Sequence, residues 1–585
     1  MTTFDQHQQN VETQYNVVGD LTIHQTPQRT VPLQRPPRAE HFVAREKELA
    51  QLLTDLQPGR VVTLCGPGGI GKSALAAEAV WTLAPNEAPP DRFPDGIIFH
   101  SFAGQPQAEV ALETIARTFG QAPKPTPAAA AQRTLAGRQL LLLLDSAEDA
   151  DNLSAVLEVR GGCGVLVTSR SRSDAQAERQ DIEPLAAAEA VKLLQAWGRG
   201  QATDEVAVQR ISDLVGRLPL AVRLVGRYLE QTGETAAEYL EWLEETPIEA
   251  LSQGEHREEN VARLLEHSLA QVSESARQVL AVAGLLALAP FDRAIIGAAL
   301  EMTSGKVRRA LNHLISYGLL RREGDRYEVN HALVHTYAQQ RLVVSDKMIE
   351  GLVTYYTDLF NRYGFEAAEF SQLDAVRIHV MAIVERCREQ AMWPVMPGLA
   401  WAVSRYGSYL VNQDYGVERL IVAKAGLEAA RKLEQELHEA TFLGIIGETL
   451  FSSGQAQKAI PYFEQALAIN LKIGDRNGEG HILRHLGQAF ISLGQVERAI
   501  EYFERSLPIT RETGDYHSEG TNLGILGGIY LSLGQVERGI EFQKQALTVH
   551  AGKDRTGEAR MLSSLGIICR RLGQIGQAIN YYQQA

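Results

Sequence analysis

The sequence predicts a multidomain chain: an α/β P-loop domain, a helical domain, a winged-helix domain and an α-solenoid of repeats. Three observations predict it. Residues 66–73 read Gly-Pro-Gly-Gly-Ile-Gly-Lys-Ser, a full match to G-x-x-x-x-G-K-[ST]. From about residue 42 to 180, short apolar runs alternate with helical stretches. In the last third, paired signals recur at steps of 40, 40 and 39 residues. The expected divisions are a leader over 1–40, the P-loop NTPase domain over 41–185 and a helical domain over 186–265. A winged-helix domain over 266–342, a helical linker over 343–405 and the solenoid over 406–585 follow.

The leader differs in composition from the rest. Val11, Thr13, Tyr15 and Val17 alternate, Gly19-Asp20 can turn, and Leu21 and Ile23 resume the alternation. This reads as two short strands in a hairpin or arch, or as a disordered leader with a local hairpin. Pro27, Pro32, Pro36 and Pro37 then mark a linker.

The P-loop domain comes next. Candidate strands are 61–65, 96–101, 139–145 and 164–168, giving a doubly wound parallel sheet with ligand at the carboxyl ends of its strands. Gly66, Gly68, Gly69, Ile70 and Gly71 form a loop whose N–H groups wrap a phosphate, and the helix from about Ala74 adds its positive dipole end. Lys72 would reach the β/γ-phosphates, and Ser73 would ligate Mg²⁺. Asp145 closes the run Leu140 to Leu144 and would be the second Mg²⁺ group, 73 residues after Lys72. Glu148 and Asp149 are open between positioning an attacking water and being a solvated helix start. Arg170, ending the next strand, is open between a γ-phosphate sensor and a surface cation. Pro219, within Gly216 to Ala221, suits either an apolar ring beside adenine or a helix start.

Beyond residue 185 the next strand signal is Leu319–Val329, a hairpin around Glu323-Gly324-Asp325, flanked by helices. That is a winged helix-turn-helix. The solenoid follows. Leu486-Gly487, Leu526-Gly527 and Leu565-Gly566 mark first helices, with Ile446-Gly447 as a degenerate fourth; Gly-Gln pairs begin at Gly454, Gly494, Gly534 and Gly573. The pattern is close to a tetratricopeptide repeat, whose usual period is about 34. The longer period implies longer helices or a longer connecting turn. The sequence stops at Ala585 partway through a second helix, as expected of a piece of a longer protein.

Composition sets outer bounds. The 585 residues are 45% hydrophobic and 22% charged, ordinary for globular domains. No apolar run is long enough to span a bilayer and no signal-peptide pattern opens the sequence, so a cytoplasmic location is expected. Cys65, Cys163, Cys387 and Cys569 lack metal spacing and read as buried thiols. A net charge of −14 argues against a chain that coats nucleic acid.

Together these features resemble the signal-transducing ATPases with numerous domains (STAND), of the NB-ARC, NLR-like type. That group includes plant disease-resistance proteins, the apoptosome scaffold and many bacterial sensors. The resemblance covers about residues 42 to 340. The family's Phe-Val-Gly-Arg-Glu is Phe42-Val43-Ala44-Arg45-Glu46 here, which implies that Val43 and Arg45 flank the adenine. Its Gly-Leu-Pro-Leu falls on Gly216 to Leu220 with Arg217 inserted, and implies that Pro219 stacks on adenine. Its Thr-Thr-Arg sensor falls on Thr168-Ser169-Arg170. Its Met-His-Asp, whose His touches the β-phosphate of ADP, is Asn330-His331-Ala332, so only His331 matches; a satisfied histidine beside the wing is the plain alternative. A second acid after the Mg²⁺ Asp is Ser146 here, which implies slow hydrolysis.

The resemblance implies an ATP/ADP switch with Mg²⁺, which is held closed by ADP and assembles as a homo-oligomer with ATP. The repeats would bind a protein or peptide ligand on their concave face. The leader also resembles short amyloid-type signalling motifs and would offer a homotypic contact. Two alternatives stand beside the switch: a transcription regulator that reads DNA through the winged helix, and a nucleotide-stabilised scaffold.

Overall fold

A computed structural model describes residues 31–39, 41–42, 45–174, 178–245 and 257–585. The alternating leader segment and Val43 lie outside the described residues.

The P-loop domain is a five-stranded parallel sheet of β1 (Val61–Cys65), β2 (Ile97–Ser101), β3 (Leu141–Asp145), β4 (Gly164–Ser169) and β5 (Glu178–Asp181), in the order β2-β3-β4-β1-β5. The central strands are mostly apolar and almost wholly buried because both faces are covered. Leu141 and Leu143 face one core, shared with Leu75, Ala76 and Ala79 of the helix Lys72–Leu83. Leu142 and Leu144 face a second, formed with Leu112, Ile115 and Val156. The fifth strand, β5, has no sequence signal. Its residues Glu-Arg-Gln-Asp form a polar edge, held to β1 by the backbone ladder and by the pair Arg60–Glu178 at 2.6 Å.

The proline-rich stretch is a strap as well as a linker. Leu33 forms a parallel bridge with Ile97 on the outer edge of β2, and Ile97 N–H donates to Pro32 O at 2.8 Å. Arg35 lies over the Trp81 ring at 4.0 Å, Trp81 Nε1 donates to Pro36 O at 2.9 Å, and Arg38 pairs with Glu78 at 2.6 Å. Proline is tolerated at such an edge because its missing N–H would face outward.

The helical region runs through Ala187–Gly198, Glu205–Leu214, Pro219–Thr232, Ala236–Glu245 and Arg257–Ala270. The expected division after residue 265 therefore falls inside a helix, where no turn residue could have marked it. The winged-helix unit comprises the helices Glu274–Leu285, Arg293–Leu300 and Ser304–Ser316, then the antiparallel pair β6 (Leu320–Glu323) and β7 (Arg326–Val329). Phe291 bridges to Tyr327, and the helix Ala332–Arg341 closes the unit.

Four helical hairpins build the solenoid: Glu436–Ser452 with Ala456–Ile473, Arg476–Ser492 with Val496–Thr513, Tyr516–Ser532 with Val536–His550, and Arg555–Arg571 with Ile575–Gln584. Helices of 17 and 18 residues in the first two hairpins account for the long period. The recurring first-helix glycine is a close-approach site. An added Cβ would lie 2.5 Å from the Phe463 ring at Gly447 and 2.7 Å from the Phe503 ring at Gly487. All four cysteines are buried free thiols. Among the described residues, no helix is long and apolar enough to cross a membrane.

Candidate functional site

The loop after β1 leads directly into the helix Lys72–Leu83. Gly69 and Gly71 take φ of +76° and +98°, a region that side chains disfavour. Ile70 is wholly buried and anchors the loop from beneath, and Gly66 N–H donates to Ser169 O at 3.3 Å. Lys72 folds back over the loop, with Nζ donating to Gly66 O at 2.8 Å and Pro67 O at 3.1 Å. Burial lowers its pKa, with Arg170 adding to the effect against Glu148 and Asp145. Lys72 makes no ion pair among the described residues, so it is a buried cation that lacks an anion of its own.

Opposite the loop, β3 ends at Asp145. Its Oδ1 accepts hydrogen bonds from Ser73 Oγ at 2.7 Å and Thr168 Oγ1 at 2.6 Å. Thr168 reaches it because β4 lies between β1 and β3. Burial raises the Asp145 pKa, and the two hydroxyls partly offset this. Ser146 N–H donates to Thr168 Oγ1 at 3.0 Å, extending the chain of bonds. Glu148 is committed to Arg170: Arg170 Nε lies 2.5 Å from Oε1, and its backbone N–H donates to Oε2 at 3.0 Å. Burial works against the Glu148 charge, but hydrogen bonds from its own backbone and from Arg170 hold its carboxyl below the usual range. Asp149 Oδ1 stands 3.6 Å from Arg170.

Two other units close over the loop. Pro219 is the first residue of the helix Pro219–Thr232, the helix start that was one expectation for it, and it also lines the cavity. Leu220 N–H donates to Gly69 O at 3.3 Å. From the winged-helix unit, Leu333 packs so closely that a Cβ at Gly68 would lie 3.2 Å from it. His331 caps the helix Ala332–Arg341: its Nδ1 accepts from Leu333 N–H at 3.0 Å, which places the ring proton on Nε2. Burial, with Arg223, Lys72 and Arg170 adding to it, pushes the His331 pKa down to about 3. His331 is thus a neutral donor among cations.

These groups line one cavity of about 590 Å³, within the range of small-molecule sites. Gly68, Gly69, Gly71, Lys72, Ser73, Ala74, Asp145, Arg170, Pro219 and His331 all line it. Gly66 and Ile70 support the loop from outside the cavity. Arg45, expected beside adenine, is not among the residues that line the cavity. Its guanidinium lies beneath the loop, donating to Ile70 O at 2.8 Å and Glu183 O at 2.9 Å. Sequence reading missed Arg223, Leu333, Trp197 and the strap residues Pro36 to Ala39, which also line the cavity. Only Arg223 carried a signal, four residues after Pro219 and so on the same helix face. The others reach the cavity through long-range packing.

The residues fit a nucleotide and a divalent cation. The unpaired Lys72 and the loop amides suit a phosphate chain, and Ser73 with Asp145 would hold Mg²⁺.

Two regions of the chain match known families. The model described as NB-ARC domain matches residues 44–202, and the one described as tetratricopeptide repeat matches 438–512 and 519–585. Regulatory protein AfsR of Streptomyces griseus is 30% identical over 220 residues, 34% of this chain and 22% of the relative. Its Streptomyces coelicolor counterpart is 31% identical over 225 residues, again 34% and 22%. The chain thus spans about a fifth of the length of these curated relatives. A crystal structure of a STAND protein with a tetratricopeptide repeat sensor from Pyrococcus horikoshii is 17% identical, with a TM-score of 0.46 over 94% of this chain and 84% of that one.

Proposed function

This chain carries an NB-ARC domain with tetratricopeptide repeats behind it, and on that premise we propose that it is an ATP/ADP-dependent switch. ADP would hold the P-loop, helical and winged-helix units closed. A protein or peptide ligand on the repeats would favour an open state that takes up ATP and assembles. The observation that carries this reading is the cavity wall. Lys72 and Ser73 come from the first unit, Pro219 and Arg223 from the second, and His331 and Leu333 from the third. A ligand touching all three favours their closure by its difference in affinity for the closed and open arrangements. Bound nucleotide would supply the anionic phosphates that this cation-rich wall lacks, with Mg²⁺ at Ser73 and Asp145. Hydrolysis would be slow, because Ser146 is no base and Glu148 is occupied by Arg170.

A second reading, transcription regulation, takes support from the relatives described as regulatory proteins. The wing argues against direct DNA reading: Arg321 pairs with Glu328, Arg322 pairs with Asp325, and Arg321 lines the nucleotide cavity. The deciding experiment measures mass in ADP, in a non-hydrolysable ATP analogue and without nucleotide, alongside duplex binding at several salt concentrations. An unchanged monomer in all three states would overturn the switch. Salt-sensitive duplex binding would favour the second reading.

A further inference from the structure

The solenoid holds a cation that lacks an anion. Arg484 lies on the first helix of the second hairpin, Arg476–Ser492, and is only partly exposed. Its Nη2 faces His481 Nδ1 at 3.5 Å and His485 Nε2 at 3.2 Å. The second contact is no acceptor, because His485 Nε2 sits 3.0 Å from Glu448 Oε1 and its proton is committed there. The nearby acids are engaged elsewhere. Glu448 is bound by Arg419 at 3.0 Å and by His485, while Asp515 caps Ser518 N–H and faces His481 at 3.6 Å. Arg484 forms no ion pair among the described residues.

Three buried polar atoms here have no hydrogen-bond partner: Arg484 Nε, His485 Nδ1 and Thr521 Oγ1. Thr521 occupies in the next repeat the position that His481 occupies in this one, 40 residues on. The positions equivalent to Arg484 in the repeats before and after are Gly444 and Gly524, so neither supplies a side chain beside the guanidinium. One turn beyond Gly524, an added Cβ at Gly528 would meet nothing within 4 Å. A guanidinium presents its N–H donors as a planar fork that matches a carboxylate; here Nη2 has only the long 3.5 Å contact to His481 Nδ1 and the buried Nε–H has no acceptor, which is costly.

We propose that the first-helix face around Arg484, His481, His485 and Thr521 binds an acidic peptide segment, with one carboxylate docking on the Arg484 fork. This rests on the reading of the repeats as the sensor of the switch. A solenoid face suits an extended segment, and charge complementarity selects an acidic one.

The test uses the full chain with ADP and a fluorescein-labelled oligoglutamate peptide, read by anisotropy, against oligoserine and oligolysine of equal length. Oligoglutamate should bind saturably, and Arg484→Gln should weaken it about tenfold or more. Gly528→Trp places bulk in open space and should also block binding, which keeps the test valid if Arg484→Gln proves unstable by thermal melt. Equal binding of oligoserine, or an unchanged affinity in Arg484→Gln, overturns the proposal. Free glutamate or inorganic phosphate binding as tightly as the peptide would also overturn it, in favour of a single-anion pocket. ADP affinity and exchange are measured on the same samples. Peptide binding without any effect on exchange keeps this site and rejects the switch. Intact ADP-dependent closure without peptide binding does the reverse.

Discussion

At the residue scale the cavity concentrates cations around a neutral histidine. Lys72 is the only cation of the loop, so Lys72→Ala should lower ADP and ATP affinity at least tenfold, about 1.4 kcal/mol; titration calorimetry checks this. Asp145→Asn should weaken Mg²⁺-dependent binding and spare metal-free ADP binding. His331 offers a neutral Nε2–H, and a hydrogen bond from it to a charged phosphate is worth about 1.5–3 kcal/mol. His331→Ala should therefore speed ADP release tenfold or more, measured by stopped-flow with a labelled nucleotide. An unaltered release rate would leave His331 as the cap of its helix and nothing else.

At the scale of elements the third hairpin breaks a rule that its neighbours keep. Phe463 and Phe503 fill the space left by Gly447 and Gly487, but the equivalent residue against Gly527 is Gln543. Gln543 is 3% exposed, and its Oε1 has no partner. Restoring the aromatic side chain removes a buried unsatisfied acceptor, a penalty of about 1–3 kcal/mol. Gln543→Phe should raise the thermal midpoint of the solenoid. Gly487→Ala should do the opposite, because the wholly buried Phe503 ring has nowhere to go, at a cost of about 1–3 kcal/mol. Calorimetry on both variants settles the pair.

At the scale of the whole molecule the P-loop domain touches the segment that leads into the repeats. Arg117, from the helix Ala108–Thr118, pairs with Glu113 at 2.7 Å and donates to Gln413 O at 2.5 Å. Its guanidinium lies 4.3 Å from the Tyr415 ring, Arg377 lies 4.1 Å from the same ring, and Lys124 pairs with Asp414 at 3.2 Å. If closure depends on this contact, Tyr415→Ala should enlarge the scattering radius of the ADP-bound protein, and an unchanged radius would show that the contact is passive. Acid should loosen the fold elsewhere, at three buried histidines. Burial holds the pKa of His100 and of His379 near 4, below the ordinary 6.5, and also lowers that of His335. The unfolded chain binds more protons between those values, so stability is full above about pH 6.5 and is lost as pH falls below it. The thermal midpoint should drop from about pH 7.5 to about pH 5, and His379→Asn should flatten that slope.

The sequence alone determined whatever depends on local spacing. The phosphate loop was legible because glycines, a lysine and a serine must stand in fixed order between a strand and a helix. The strand ending in Asp145 was legible because β3 is covered on both faces. The solenoid was legible because each repeat needs the same glycine where a side chain of its second helix, an aromatic ring in three of the four, presses on its first helix. Only the tertiary structure decided what depends on distant segments meeting. It set β5 on the edge by backbone pairing without apolar signal, laid the proline strap along β2, and placed Arg45 beneath the loop rather than in the cavity. It also brought Leu333 and His331 onto a loop more than 250 residues away in sequence. Such contacts leave no periodicity in the chain, because they arise from how whole units pack rather than from the local preference of any segment.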